Sequence, residues 1–375
     1  MIHYNKGKEM AECKLCNTIS NYISKELGIC LKCIREKPLN ALPVAMQAHK
    51  RRSRAVFGLP EEPPKDPKGI PCNICINECR IPDGEMGYCG LRKNENGKLT
   101  GVSADKGKLS WYHDPLPTNC VGDWICPGGT GAGYPQYAYC NGPEYGYKNL
   151  AVFFHACSFN CLYCQNWHFR QKTLSQYTKS TEDLVLCVDE KTSCICYFGG
   201  DPAPQIPFSL NASRLALEKK KGKILRICYE TNGSMHHGFL DKMTELALGS
   251  GGCIKFDLKA WDENLHIALT GITNKRTLEN FSAAGKKITL RPSPPLLIAS
   301  TLLVPGYVDD EEVKNIAKFI ASINPDIPYS LLAFYPHFYM SDMPLTSKAL
   351  AQRCLSIAKQ EGLKNVRIGN AHLLR

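Results

Sequence analysis

The stretch Phe154-His155-Ala156-Cys157-Ser158-Phe159-Asn160-Cys161-Leu162-Tyr163-Cys164-Gln165-Asn166-Trp167 sets three cysteines at C-x3-C-x2-C spacing, directly after the apolar run Leu150 to Phe154. A strand that runs into a loop carrying three closely spaced thiols is a metal site. Four thiolates close an iron–sulfur cluster. Three leave one iron without a protein ligand, so a small molecule can bind there.

From residue 150 onward, β-like runs alternate with helical ones. The strand candidates are Leu150–Phe154, Cys194–Phe198, Ile224–Tyr229, Ile254–Leu258, Ile298–Val304 and Ser330–Phe334. Helical stretches fall near 209–220, 236–248, 262–270, 274–286, 309–323 and 346–360. Val366-Arg367-Ile368-Gly369-Asn370 reads as a last strand, with Arg367 an unassigned charge. Six β/α units imply a parallel sheet curled into a barrel that does not close. The expected class is therefore α/β: a partial (β/α)6 TIM-like barrel over 148–375, preceded by a Cys-rich metal-binding extension. Function in such barrels sits at the C-terminal ends of the strands.

The informative residues stand there. The second strand is followed by Gly199-Gly200-Asp201-Pro202, the third by Glu230-Thr231-Asn232-Gly233 and the fourth by Asp257-Leu258-Lys259. The fifth ends in Val304-Pro305-Gly306-Tyr307-Val308-Asp309, with Asp309 placed to cap the next helix, and the sixth in Phe334-Tyr335-Pro336-His337. Glycines at a strand end let the backbone approach a ligand closely.

The cysteine spacing, with Tyr163 just before the last cysteine, resembles the radical S-adenosylmethionine (SAM) superfamily. The ordered strand ends resemble those of pyruvate formate-lyase activating enzyme and its relatives, over roughly residues 148–370. The resemblance implies that Cys157, Cys161 and Cys164 hold a [4Fe–4S] cluster. It implies that Gly199, Gly200 and Asp201 lie under the methionyl amino group of SAM, with Asp201 where many members carry Glu. Thr231, Asn232 and Lys259 would help to hold SAM, Lys259 pairing with its carboxylate. His337 would contact its nucleoside, and Tyr163, Glu230 and Asp257 complete the expected cofactor surround. Glu230 departs from the Asp usual in those enzymes, which puts a carboxylate-bound cation near Glu230 and Asp257 in doubt.

By the same resemblance, the open iron takes the amino and carboxylate groups of SAM. One electron, from a flavodoxin or ferredoxin, cleaves a C–S bond to give methionine and a 5′-deoxyadenosyl radical that abstracts hydrogen. The hard chemistry belongs to the cofactor; the protein supplies binding, orientation and exclusion of solvent. Relatives with this core activate glycyl-radical enzymes, so a protein substrate is the leading expectation. The runner-up is another radical modification of a protein or small molecule, including methylation with cobalamin, although no recognisable cobalamin domain is visible. A reading of a different class is a zinc-ribbon scaffold or nucleic-acid binder for which SAM is irrelevant.

Ahead of the barrel, Cys13-x2-Cys16 and Cys30-x2-Cys33 read as a small zinc ribbon over 1–37, because two thiolate knuckles suffice for tetrahedral zinc. Residues 38–71 read as a helix around Ala41 to Arg54 and then a stiff linker with Pro60, Pro63, Pro64, Pro67 and Pro71, a domain boundary. A second knot follows, Cys72-x2-Cys75-x3-Cys79-x9-Cys89, in a third unit spanning 72–147. Zinc and an auxiliary iron–sulfur cluster both suit four thiolates. The block also resembles the N-terminal part of the radical SAM proteins of the AmmeMemoRadiSam system. Residues 100–149, rich in Gly, Pro, Trp and Tyr, are expected to be loop. Their Gly128-Gly129-Thr130-Gly131-Ala132-Gly133 lacks the strand-then-helix context of a phosphate cradle, and Cys120 and Cys126 read as free cysteines.

Twenty cysteines in 375 residues, eleven of them in the three clusters, point to metal ligation rather than disulfides, because the spacings are C-x2-C and Met1 to Met10 lacks an apolar export region. Cys194, Cys196, Cys228 and Cys253 sit in apolar runs and read as small buried hydrophobes. No run of eighteen apolar residues occurs, so no membrane is expected and the chain is assigned to the cytoplasm. Of the net charge of +11, residues 1–70 contribute 13 Lys/Arg against 7 Asp/Glu, densest at Lys50-Arg51-Arg52-Ser53-Arg54. This arm reads as a solvated linker before it reads as a surface for nucleic acid or an acidic donor, so nucleic acid is not an expected partner.

Overall fold

Side-chain alternation along the strands separates a helix-facing core from an inner surface. In Thr192–Gly199, Ile195 and Tyr197 are fully buried in the core shared with the helices, whereas Cys194, Cys196 and Phe198 line an inner cavity. The computed structural model describes residues 10–118 and 120–375, with Arg51 as backbone alone; the polar start of the chain discussed above lies almost wholly outside them.

Eight strands form one sheet: β1 (Leu109–Pro115), β2 (Lys148–Phe154), β3 (Thr192–Gly199), β4 (Arg226–Thr231), β5 (Ile254–Asp257), β6 (Leu297–Leu303), β7 (Tyr329–Ala333) and β8 (Val366–Gly369), neighbours in that order. β2 to β8 run parallel and β1 runs antiparallel to β2. β1 and β8 do not pair, so the barrel stays open. Helices Ile206–Lys219, His237–Ser250, Glu263–Thr270, Lys275–Gly285, Asp310–Ile323 and Lys348–Gln360 match the expected ones, and Asp309 caps its helix by accepting from Glu312 N at 3.0 Å.

The loop expected over 100–149 is not all loop. β1 belongs to the barrel sheet and ends in Pro115, a residue that an edge strand tolerates. Residues 120–147 then cross the N-terminal mouth of the barrel as a plug. Ser330 Oγ donates to Val121 O (3.0 Å) and accepts from Trp124 Nε1 (3.2 Å), and Asp123 pairs with Arg367 (2.9 Å), which accounts for that unassigned charge. The glycine run serves the plug's own folding: a Cβ on Gly129 would fall 1.7 Å from Asp123 O.

Residues 10–37 and the barrel share one core rather than forming separate units. Ile23, Leu27, Ile29 and Ile34 are buried in the same cluster as Val304, Tyr307 and Ile316. Tyr307 OH accepts from Ser24 N and donates to Ile29 O, both at 3.0 Å, and Arg35 reaches Asp309 (2.9 Å) and buried Glu312 (2.8 Å). The basic arm is solvated only in part: Arg52 stays exposed, whereas Arg54 does not. Arg52 pairs with Glu26 (2.9 Å), and Arg54 is buried with its guanidinium 3.5 Å from the Tyr88 ring centre.

Two buried histidines make this packing acid-sensitive. His49 lies between Ala268 O (2.8 Å) and Asn160 O (3.1 Å), and His266 Nδ1 lies 2.6 Å from Ile272 O. Burial pushes both rings down from 6.5 to about 4, against the pull of those carbonyls. Below pH 6.5 the unfolded chain takes up a proton at each ring that the folded chain refuses until about pH 4. Stability therefore falls by about 1.4 kcal/mol per pH unit for each histidine across that window. Anaerobic urea titrations at neutral pH and near pH 5 should show the midpoint drop; an unmoved midpoint contradicts the neutral buried state.

Candidate active site

Gly200 brings β3 against the cysteine loop. A Cβ there would fall 2.2 Å from Ala156 O, and Gly199 ends the strand at φ +102°. Gly200 N donates to Phe154 O (2.8 Å) and Asp201 N to Ala156 O (2.9 Å), which fixes the loop over the sheet.

Cys157, Cys161 and Cys164 line one cavity at the C-terminal ends of the strands. Of the ten expected SAM contacts, Tyr163, Gly199, Gly200, Asp201, Asn232, Asp257 and Lys259 line it too. Asp201 is buried and accepts from Asn232 N (2.6 Å), Ala203 N (2.7 Å) and Thr231 Oγ1 (3.1 Å). Burial nevertheless pushes its carboxyl up to about 7. Thr231 thus bonds Asp201 and does not itself line the cavity. Asn232 donates to Ser158 Oγ (2.8 Å) and reaches Cys157 Sγ (3.7 Å). Lys259 Nζ stands 2.9 Å from Asp257, which also accepts from Ser300 Oγ (2.8 Å). Burial would lower the Lys259 ammonium, but Asp257 and Cys161 outweigh it and hold it well above the usual lysine range.

His337 is not among the residues that line the cavity; the neighbouring Phe338 ring stacks on Trp167 with centroids 5.4 Å apart. Glu230 also departs from its expected place. It pairs with Lys255 (3.0 Å) in a second, inner cavity between the sheet and the plug, where it accepts from Cys120 Sγ (3.3 Å). Lys255 Nζ lies 2.9 Å from Cys120 Sγ and 3.3 Å from Cys196 Sγ. Burial would lower this ammonium as well, but the two thiols and Glu230 hold it well above the ordinary range. Half-buried Cys126 and buried Cys194, Cys228 and Cys253 line the same chamber, so the three buried cysteines are wall residues of a cavity as well as small buried hydrophobes.

Arg170 is a cavity residue that strand-end reasoning passes over. It is buried, bonds Asn160 Oδ1 at 3.0 Å, and leaves Nε and Nη1 without a partner among the described residues; the Tyr163 hydroxyl is orphaned in the same way. Three thiols, a buried guanidinium with free N–H groups and a lysine–aspartate pair form a donor set that fits an anionic cluster carrying an amino-acid ligand.

The sequence profile described as the Radical SAM superfamily matches residues 151–320. An uncharacterized protein of Methanocaldococcus jannaschii is 25% identical over 311 residues, covering 81% of this chain and 82% of its own. A second protein of that organism, named as a glycyl-radical enzyme activating enzyme, is 31% identical over 197 residues, 49% of this chain and 67% of its own. The pyruvate formate-lyase 1-activating enzyme of Escherichia coli K12 is 25% identical over 170 residues, 43% of this chain and 63% of its own. With similarity running through the strands around the three thiols, and with one relative 31% identical over two thirds of its length, the chain belongs to the radical SAM superfamily.

Proposed function

We propose that this enzyme takes a hydrogen atom from a protein substrate, as a glycyl-radical activating enzyme does. The observation that carries the reading is the single cavity that gathers Cys157, Cys161 and Cys164 with Asp257 and Lys259. The names of two relatives support the substrate class. Cys157, Cys161 and Cys164 would hold the [4Fe–4S] cluster, and Arg170 would offset its negative charge. Lys259 would turn from Asp257 to the SAM carboxylate, while Asn232 and the Gly199–Gly200 backbone bound the methionyl end. When bound, the cluster supplies the electron that breaks a C–S bond of SAM, giving methionine and a 5′-deoxyadenosyl radical. The electron donor is a low-potential flavodoxin or ferredoxin.

The plug favours a second reading. It closes the chamber of Glu230, Lys255 and Cys120 from below, a shape suited to a small molecule as substrate. Anaerobic reconstitution followed by dithionite and SAM tests the chemistry: 5′-deoxyadenosine and methionine are expected, and absence of both overturns it. Adding cell extract then separates the substrates. Cleavage stimulated by the dialysed macromolecular fraction supports a protein, whereas stimulation by the dialysate alone overturns that reading in favour of a small molecule.

Lys259→Ala should weaken SAM binding by about 10- to 100-fold, the worth of a charge-assisted hydrogen bond at a buried carboxylate. Equilibrium dialysis of the reconstituted protein measures it, and an unchanged affinity would remove Lys259 from the carboxylate site.

At the N-terminus, Cys13, Cys16, Cys30 and Cys33 would hold zinc. Their sulfurs all lie within 4.8 Å of one another, Cys16 and Cys30 at 3.7 Å. Tetrahedral zinc with ~2.3 Å bonds needs sulfurs roughly 3.8 Å apart. Cys30→Ala should lose about one zinc per chain by metal analysis; loss of iron instead would contradict the assignment.

A further inference from the structure

The second knot differs from the first in a way that bears on its metal. Cys72, Cys75, Cys79 and Cys89 line one small cavity. Yet among the described residues the only group of three or more ligand atoms within 4.8 Å of one another is Cys13, Cys16, Cys30 and Cys33. The second knot is more open, as are Cys157, Cys161 and Cys164. A single tetrahedral ion draws its four sulfurs together, as at the first knot. A cubane places each thiolate on a different iron, so the sulfurs stand farther apart. N–H donors already point at the knot's sulfurs: Tyr88 N to Cys79 Sγ at 3.4 Å and Asn77 Nδ2 to Cys75 Sγ at 3.8 Å. Such bonds tune iron–sulfur clusters.

The knot also abuts the cysteine loop. Asn77 Nδ2 donates to Ser158 O at 2.8 Å, one residue from Cys157, and Ile76 N donates to Ser234 O at 2.8 Å. Ser158 and Ser234 hydroxyls meet at 2.7 Å. On the other side, Cys89 packs against the buried cluster of Leu91, Val102 and Ala156, the last being the residue before Cys157.

We propose that Cys72, Cys75, Cys79 and Cys89 hold an auxiliary [4Fe–4S] cluster that passes electrons to the cluster of Cys157, Cys161 and Cys164. One electron from an external low-potential flavin or iron–sulfur donor reduces the auxiliary cluster from 2+ to 1+. Its transfer reduces the SAM cluster from 2+ to 1+ and returns the auxiliary cluster to 2+. The route runs through Asn77–Ser158 and Cys89–Ala156. The relay rests on the SAM-cleavage reading above; the auxiliary cluster itself does not.

The full chain is reconstituted anaerobically as wild type, as Cys157→Ala/Cys161→Ala/Cys164→Ala, and as Cys75→Ala/Cys79→Ala. The triple variant should retain about four iron and four sulfide, with a reduced-cluster electron paramagnetic resonance signal indifferent to SAM. Zinc without sulfide in that variant overturns the auxiliary cluster. The Cys75/Cys79 variant should keep a signal that shifts with SAM and should cleave SAM with dithionite, but fall to the donor-free rate with reduced flavodoxin. An undiminished flavodoxin-driven rate overturns the relay. If that variant loses both clusters, Asn77→Ala decides instead, since all thiols remain: full iron with a slowed flavodoxin-driven rate supports the route, and an unslowed rate overturns it. Failure of the SAM reading shows itself separately, as a wild-type signal that SAM does not shift.

Discussion

Cys161→Ala will leave a folded chain that no longer cleaves SAM. Cys161 is the buried member of the three thiols that line the cavity at the strand ends. A cluster already short of one protein ligand cannot lose a second and keep its open iron defined. Loss of an outer-sphere partner of a metal costs about 10- to 100-fold in affinity or activity, so loss of a direct ligand should exceed that and take 5′-deoxyadenosine below detection with dithionite as reductant. Stability should change little, because the removed atom is small and the loop stays fixed by Gly200 N to Phe154 O and by Leu162 N to Leu269 O at 3.1 Å. Iron analysis, the reduced-cluster signal and product assay should fall together while the urea midpoint holds. Retained cleavage would mean that the functional cluster lies elsewhere, in the second knot first of all.

The barrel was legible because each strand after residue 150 is a run of apolar and β-branched residues followed by polar ones, and the ligand-facing groups stand in that change of character. β1 gave no such signal. Leu109-Ser110-Trp111-Tyr112-His113-Asp114-Pro115 is polar on its open face and draws its stability from pairing with β2, a partner more than thirty residues away. Glu230 shows the limit of reading strand ends. It faces Lys255 across the sheet, whereas Asp257, two residues further along β5, faces Ser300. A step of two residues keeps the side chain on the same face but moves it one layer along the barrel. Glu230 and Lys255 therefore line the inner chamber, and Asp257 with Lys259 the cavity of the three thiols. Arg170 was invisible for another reason. It lies on a short helix beyond the cysteine loop, and its role depends on burial beside Phe169 and Phe338, which no local pattern reveals.

Glu144→Ala should be the most destabilising substitution outside the metal sites, because it unpins the plug from the barrel. Glu144 and Arg226 are both buried and meet as a fork: Nη1 to Oε1 at 2.8 Å and Nη2 to Oε2 at 2.6 Å. Ser193 Oγ and Tyr139 N donate to the same carboxylate, each at 2.8 Å. Burial alone would raise the Glu144 carboxyl, but Arg226 holds it below the usual range, so the pair is charged at neutral pH. Removing one partner strands a buried guanidinium, which costs about 3–5 kcal/mol. The fold can relieve that cost by letting residues 120–147 lift and admit water to Arg226. The expectation is therefore double: a lower urea midpoint, and protease cleavage within the plug at denaturant concentrations where the barrel stays intact. Arg226→Met in the Glu144→Leu background should recover part of the loss, since no charge is then left alone. A single variant that loses less than about 1 kcal/mol and keeps its plug protected would show that the plug is held by its contacts with Ser330 and Arg367 rather than by the Glu144–Arg226 pair.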